Sequence, residues 1–240
     1  MGYLAFFLLG FRVKIQGEQS SREEAPILIA APHTSFLDCL TIARCQASPV
    51  VRKENRSIPV IWAVLAICHA IYVNKYCIHY KHGSLSFSPS NYRKTTETRR
   101  QVSEEIIKRS TSTLAWPQVL IFPEGTTSNG KALARFNTGG FQPGVPVQPI
   151  TISYSHPDMS VWTRRHDQEF KLPLLDVLCN PTHTVTIEFL PVYQPSQAEK
   201  ENPILFANNV QKIMAKSLDI PATDFTRSSK RKIMKSNLSV

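Results

Sequence analysis

His33 follows a short apolar run and Pro32, in the stretch Ala-Pro-His-Thr-Ser-Phe-Leu-Asp that ends at Asp38. A histidine where a strand feeds a helix lies where α/β sheets gather ligands and catalytic groups. A carboxylate that accepts the proton of one ring nitrogen leaves the other nitrogen as a base and stabilises the imidazolium that forms. Spacing sets a condition on that pairing. Five helical positions rotate by about 140°, so His33 and Asp38 do not share a face of one regular helix. They meet if His33 lies in the turn before the helix and Asp38 reaches back from the first turn. A plainer arrangement, with His33 capping the helix and Asp38 favouring its positive end, fits the same spacing, and the residues alone leave both open. A second block, Val-Leu-Ile-Phe-Pro-Glu-Gly-Thr-Thr-Ser-Asn-Gly, runs from 119 to 130. It too puts polar groups at the end of an apolar run. Gly125 allows close approach to the backbone, Thr126 can donate or accept, and Glu124 could hold a substrate hydroxyl or a basic phosphate-binding side chain. An ordinary strand-to-loop turn explains the block equally well.

The elements that must position these groups alternate. Short runs rich in β-branched residues predict strands at 27–31, 49–52, 71–74, 119–122, 147–154 and 184–190. Helical patterns fall at 35–45, 60–69 and 92–109, and from Pro203 to about Leu218. Such alternation is the signature of an α/β domain, and the apolar stripes on the helices are most simply core faces. The stretch 76–91 breaks the rhythm with Ser, Pro and Gly and reads as a surface loop or insertion. Cys77, His79 and His82 within it resemble metal ligands, but they lack a fourth, and the expectation is no metal site.

Composition bounds the rest. A chain of 240 residues with 42% hydrophobic and 19% charged residues fits one domain or two small ones and has the apolar content for a real core, and wholesale disorder is excluded. Five scattered cysteines without a Cys-x-x-Cys pair argue against a disulfide scaffold. The net charge of +10 is local: the 75–100 segment holds six basic residues and one acid, and 227–240 holds five basic residues and no acid. Two basic segments on a neutral body suit an anionic membrane surface or an anionic cofactor. No zinc-finger or aromatic RNA-binding signature supports nucleic acid as a partner. Residues 1–11 are apolar and uncharged. They are too few to span a bilayer, which takes about 20, and read as an interfacial anchor, the remnant of a longer membrane helix, or a buried helix. The run 58–73, interrupted by Pro59 and His69, reads as core helix followed by strand.

Taken together the two blocks carry a resemblance. His33 to Asp38 matches the His-x4-Asp signature of the glycerolipid acyltransferase superfamily, and Phe-Pro-Glu-Gly-Thr at 122–126 matches its Glu-Gly-Thr block. Val-Pro-Val-Gln-Pro-Ile at 145–150 resembles the proline-containing block that follows. The stretches 116–150, 188–196 and 206–224 look like the lysophosphatidylcholine acyltransferase branch in particular, so the similarity covers roughly residues 12–224. The resemblance implies a single acyltransferase domain at 12–224 with a mixed central sheet flanked by helices, an insertion at 76–91 and a basic tail at 225–240. It implies transfer of an acyl chain from acyl-CoA, as co-substrate, to the free hydroxyl of a lysophospholipid, with no cofactor and no metal. By analogy His33 is the general base and Asp38 its orienting partner. Lys75, Glu124, Gly125 and Thr126 then fall in the substrate-binding set. The partners implied are acyl-CoA, a lysophospholipid and a membrane surface, and the location is the cytosolic face of the endoplasmic reticulum membrane or lipid droplets. The sequence has no Gly-x-Ser-x-Gly elbow, which agrees with direct attack on the thioester and no acyl-enzyme. Departures from the pattern are equally specific. Lys75 stands where the family usually has Arg, and Phe-Asn-Thr-Gly-Gly-Phe at 136–141 stands where the branch commonly has Phe-Lys-Pro-Gly-Ala-Phe. Little of the family's preceding membrane helix is present, and no calcium-binding loop follows residue 224. The expectation from these gaps is a short or partial form, with a catalytically impaired, lipid-binding form as the alternative.

Overall fold

The computed structural model describes residues 11–35, 38, 41, 44–53, 65–73, 79–81, 84–86, 92–155 and 183–226. Its centre is a seven-stranded sheet. In chain order the strands are β1 (Phe11–Gln16), β2 (Ile27–Ala31), β3 (Ser48–Arg52) and β4 (Ile71–Val73), followed later by β7 (Val119–Ile121), β8 (Val147–Tyr154) and β9 (His183–Phe189). Spatially they run β1-β9-β8-β2-β7-β3-β4. Only the β8–β9 pair is antiparallel; the other neighbours are parallel. The sheet is therefore mixed, as expected.

Burial explains why these residues form strands. All five side chains of β2 are fully buried, the continuous apolar run of a parallel strand covered on both faces. Ile27, Ile29 and Ala31 join one core with Val119, Ile121 and Val147. Leu28 and Ala30 join the other with Leu120, Ile150 and Ile152. The first face is covered by α1 (Tyr92–Thr111), through Ile106 and Val102, and by α3 (Pro203–Ser217), through Phe206, Val210 and Met214. α3 starts where Pro203 supplies a preformed first-turn φ and Asn202 accepts hydrogen bonds from the Ile204 and Leu205 amides. Just before it, α2 (Gln197–Glu201) is set by a capping box between Ser196 and Glu199. Among the described residues, no helix is long and apolar enough to cross a membrane.

Three parts differ from the sequence expectation. β1 was not anticipated, although Phe11, Val13 and Ile15 alternate with Arg12, Lys14 and Gln16; its ladder to β9 fixes it as an edge strand. The stretch 76–91, expected as a loop, contains an antiparallel hairpin of β5 (His79–Lys81) and β6 (Ser84–Ser86). Its strands are three residues each, too short for a periodicity to register. The short α2 was also not anticipated. Residues 1–10 and 227–240, most of the helix expected at 35–45, and the first half of that expected at 60–69 lie outside the described residues.

Candidate active site

β2, β7 and β8 are parallel neighbours, so their C-terminal ends share one edge of the sheet. His33 comes two residues after β2, Glu124 three after β7, and Tyr154 is the last residue of β8. Topology thus delivers three polar side chains to one corner before any local geometry is considered.

The local geometry joins His33 to Asp38. His33 Nδ1 lies 2.6 Å from Asp38 Oδ2, and the same oxygen accepts hydrogen bonds from the Thr34 amide at 2.9 Å and the Ser35 amide at 3.1 Å. Residues 32–35 are not helical, and the Asp38 amide donates back to the Ser35 carbonyl at 3.3 Å. His33 therefore sits in the turn and Asp38 reaches back to it, which removes the 140° obstacle of a regular helix. One carboxylate oxygen thus satisfies the turn's amides and also contacts the imidazole. The other oxygen, Oδ1, accepts a hydrogen bond from the Tyr154 hydroxyl. Asp38 is only 1% exposed, and a buried carboxylate requires such donors. His33 keeps 29% of its side-chain surface, so its ring is reachable from solvent. The ring lies 4.6 Å, centroid to centroid, from that of Phe122.

Glu124 is a tie between two loops. Its Oε2 accepts from the His33 amide at 2.8 Å and its Oε1 from the Ala134 amide at 2.9 Å. Burial pushes its carboxyl above the ordinary carboxylate range, while the two amides and the nearby imidazole oppose that rise. The Ser128 amide adds a second tie, donating to the His33 carbonyl at 2.7 Å. Gly125 adopts φ +63°, and a Cβ there would come within 2.8 Å of the Asn137 Nδ2. Asn137 in turn donates through its amide at 2.8 Å and its side chain at 2.7 Å to the Pro123 carbonyl. The turn that carries Glu124 is thus braced from behind by Asn137.

The structure brings His33, Asp38 and Glu124 into one cluster, with Gly125 exposed and Thr126 partly exposed beside it. Lys75, Cys77 and His82 lie outside the described residues, as does the side chain of His79. Among the described residues there is no group of three metal-ligating side chains. Sequence reasoning missed Tyr154 and Phe122. What brings them to His33 is the order of the strands in the sheet, for which the local sequence carries no signal. Chemically, the corner can hold a base: an imidazole contacted at Nδ1 by a buried carboxylate and open to a second reactant.

The family model described as Acyltransferase matches residues 12–153. Lysophospholipid acyltransferase LPCAT4 from Mus musculus is 46% identical over 224 residues, covering 92% of this chain and 39% of that protein. Lysophosphatidylcholine acyltransferase 1 from Rattus norvegicus is 38% identical over 223 residues, covering 92% of this chain and 38% of that protein. The chain thus spans about two fifths of the length of these curated relatives. Among solved structures, the 1-acyl-sn-glycerophosphate (LPA) acyltransferase PlsC from Thermotoga maritima superimposes with a TM-score of 0.55 at 16% identity, over 91% of this chain and 75% of that one. At that identity the likeness is one of fold.

Proposed function

This chain belongs to the Acyltransferase family, and from that premise we propose that it transfers a fatty acyl group from acyl-CoA to the free hydroxyl of a lysophospholipid. The observation that carries the reading is the contact of His33 Nδ1 with the buried Asp38 Oδ2. Asp38 holds the imidazole with its proton on Nδ1, leaving Nε2 as the general base. Nε2 takes the acceptor's hydroxyl proton as the hydroxyl oxygen attacks the thioester carbonyl. The tetrahedral intermediate collapses with cleavage of the carbon–sulfur bond, and the imidazolium returns its proton to the departing thiolate. The products are a phospholipid and free CoA, and the step as written asks for no metal and no prosthetic group. Holding both substrates beside the base would let orientation supply much of the acceleration.

Glu124 acts in this scheme as a positioning residue that fixes the His33 backbone. Gly125 and Thr126 line the acceptor side, and Lys75 supplies a charge for the acceptor's phosphate. Both substrates are amphiphiles that partition to lipid surfaces, which supports a reaction at a membrane; the cytosolic face of the endoplasmic reticulum or lipid droplets is the location that the family resemblance implies. The two relatives' names, which specify lysophospholipid and lysophosphatidylcholine acyltransferases, support the acceptor class. The test is release of free CoA by the purified chain from acyl-CoA and a panel of lysophospholipids in mixed micelles. Release that requires a lysophospholipid is expected. Thioester consumption that is indifferent to the acceptor would refute the assignment.

A further inference from the structure

Tyr154 stands where β8 outruns its neighbour. The register pairs Ala31, the last residue of β2, with Thr151, so β8 continues three residues further. Ile150 and Ile152 face the second core, and Tyr154, next in the alternation, packs partly buried against that same core. This carries its hydroxyl past the end of β2 to the corner where His33 and Asp38 meet. There it donates to Asp38 Oδ1, the oxygen that His33 does not contact.

The terminal torsion of an Asp side chain is broad and roughly two-fold, so a carboxylate held at one oxygen can still swing. Oδ2 is anchored by Thr34, Ser35 and His33, and the bond from Tyr154 anchors the opposite oxygen. A phenylalanine would fill the same place on the sheet; what the hydroxyl adds is the second anchor. We propose that Tyr154 is a positioning residue of the acyl-transfer site, fixing the Asp38 carboxylate plane so that Oδ2 faces His33 Nδ1 and Nε2 stays unprotonated. The proposal rests on the reading of His33 as the general base, and it assigns a residue from a third strand to the machinery.

Tyr154→Phe in the full chain tests it with two readouts. Histidine-selective 15N NMR reports the His33 tautomer, with the signal assigned from a His33→Gln variant. Kinetics with a lysophospholipid and acyl-CoA separate kcat from KM. In Y154F the Nδ1-protonated signal of His33 is expected to broaden or shift, and kcat to fall roughly ten-fold with KM changed less than about two-fold. In an Asp38→Asn background the same change is expected to cost little further rate, because coupled residues are not additive. Tyr154→Leu removes the ring as well, so only the loss common to both variants reports on the hydroxyl. An unchanged His33 signal with unchanged kcat in Y154F would overturn the proposal, as would a full additive loss in the Asp38→Asn background. A wild-type chain without acyl transfer would instead sink the functional reading, and the His33 signal would still decide the contact.

Discussion

Glu124→Gln separates the two roles open to the Glu-Gly-Thr block. Each carboxylate oxygen accepts one backbone amide, from His33 at 2.8 Å and from Ala134 at 2.9 Å, and the residue is 3% exposed. A carboxamide offers one acceptor and turns a donor toward the other amide. One buried N–H is then unsatisfied, at about 1–3 kcal/mol, and the remaining bond loses its charge assistance, about 1 kcal/mol more. Part is offset, because the burial that pushes the Glu124 carboxyl up no longer acts on a charge. A net loss of about 2 kcal/mol remains, which for a chain of this size lowers Tm by about 4–8 °C. The His33 backbone loosens with it, and misplacement of a reacting group by about 1 Å can cost 100-fold in rate. Thermal unfolding and steady-state acyl transfer, measured on one preparation, check both effects. A Glu124 that bound the acceptor would instead raise KM for the lysophospholipid at unchanged Tm. A variant with wild-type Tm and a kcat within two-fold would refute the tie between the loops.

Other consequences are equally direct. Asp38→Asn can keep the turn's hydrogen bonds through its amide oxygen while removing the charge that steadies an imidazolium; kcat is expected to fall by about 100-fold or more, and near-wild-type turnover would contradict the orienting role. Gly125→Ala forces a side chain into φ +63° and against Asn137, so a loss of about 1–3 kcal/mol in denaturant unfolding is expected; a neutral result would mean the turn relaxes freely. Glu199 gives a pH signature. Burial pushes its carboxyl up, but hydrogen bonds from Tyr193, Asn209 and Ser196 outweigh this and hold it down at about 2, against an ordinary 4.5. A depressed carboxyl stabilises the fold above its unfolded value, and that stability is lost as pH falls from about 4.5 to about 2. Glu199→Gln is therefore expected to flatten the acid limb of the stability curve, whereas an unchanged acid limb would contradict the assignment.

Much of this was legible in the sequence, for physical reasons. β2 is a continuous apolar run and β8 carries Val147, Ile150 and Ile152, and the bounds of both match the expectation at every residue. α3 carries its own start signal in Asn202-Pro203. The meeting of His33 with Asp38 was legible only as a condition, since five residues of spacing bring the two together solely through a non-helical turn, and that turn is made by the amides of Thr34 and Ser35. What could not be read depends on chain segments far apart. Tyr154 lies 116 positions from Asp38 and Glu124 lies 91 from His33. Sheet order brings them together, and strand order is not written in local periodicity. Glu124 illustrates the point: its side chain suggested a ligand contact, whereas its neighbours in space are backbone amides. β1 escaped because its alternation spans only six residues beside a longer apolar run.

The central claim is that His33 takes the proton of the acceptor hydroxyl. Its most direct measurement compares kcat for phospholipid formation by His33→Ala and by the unmodified chain, with thermal unfolding confirming that both are folded. The account predicts a fall of about 100-fold to 10,000-fold at little change in Tm. A folded His33→Ala protein that makes phospholipid at the unmodified rate would contradict it.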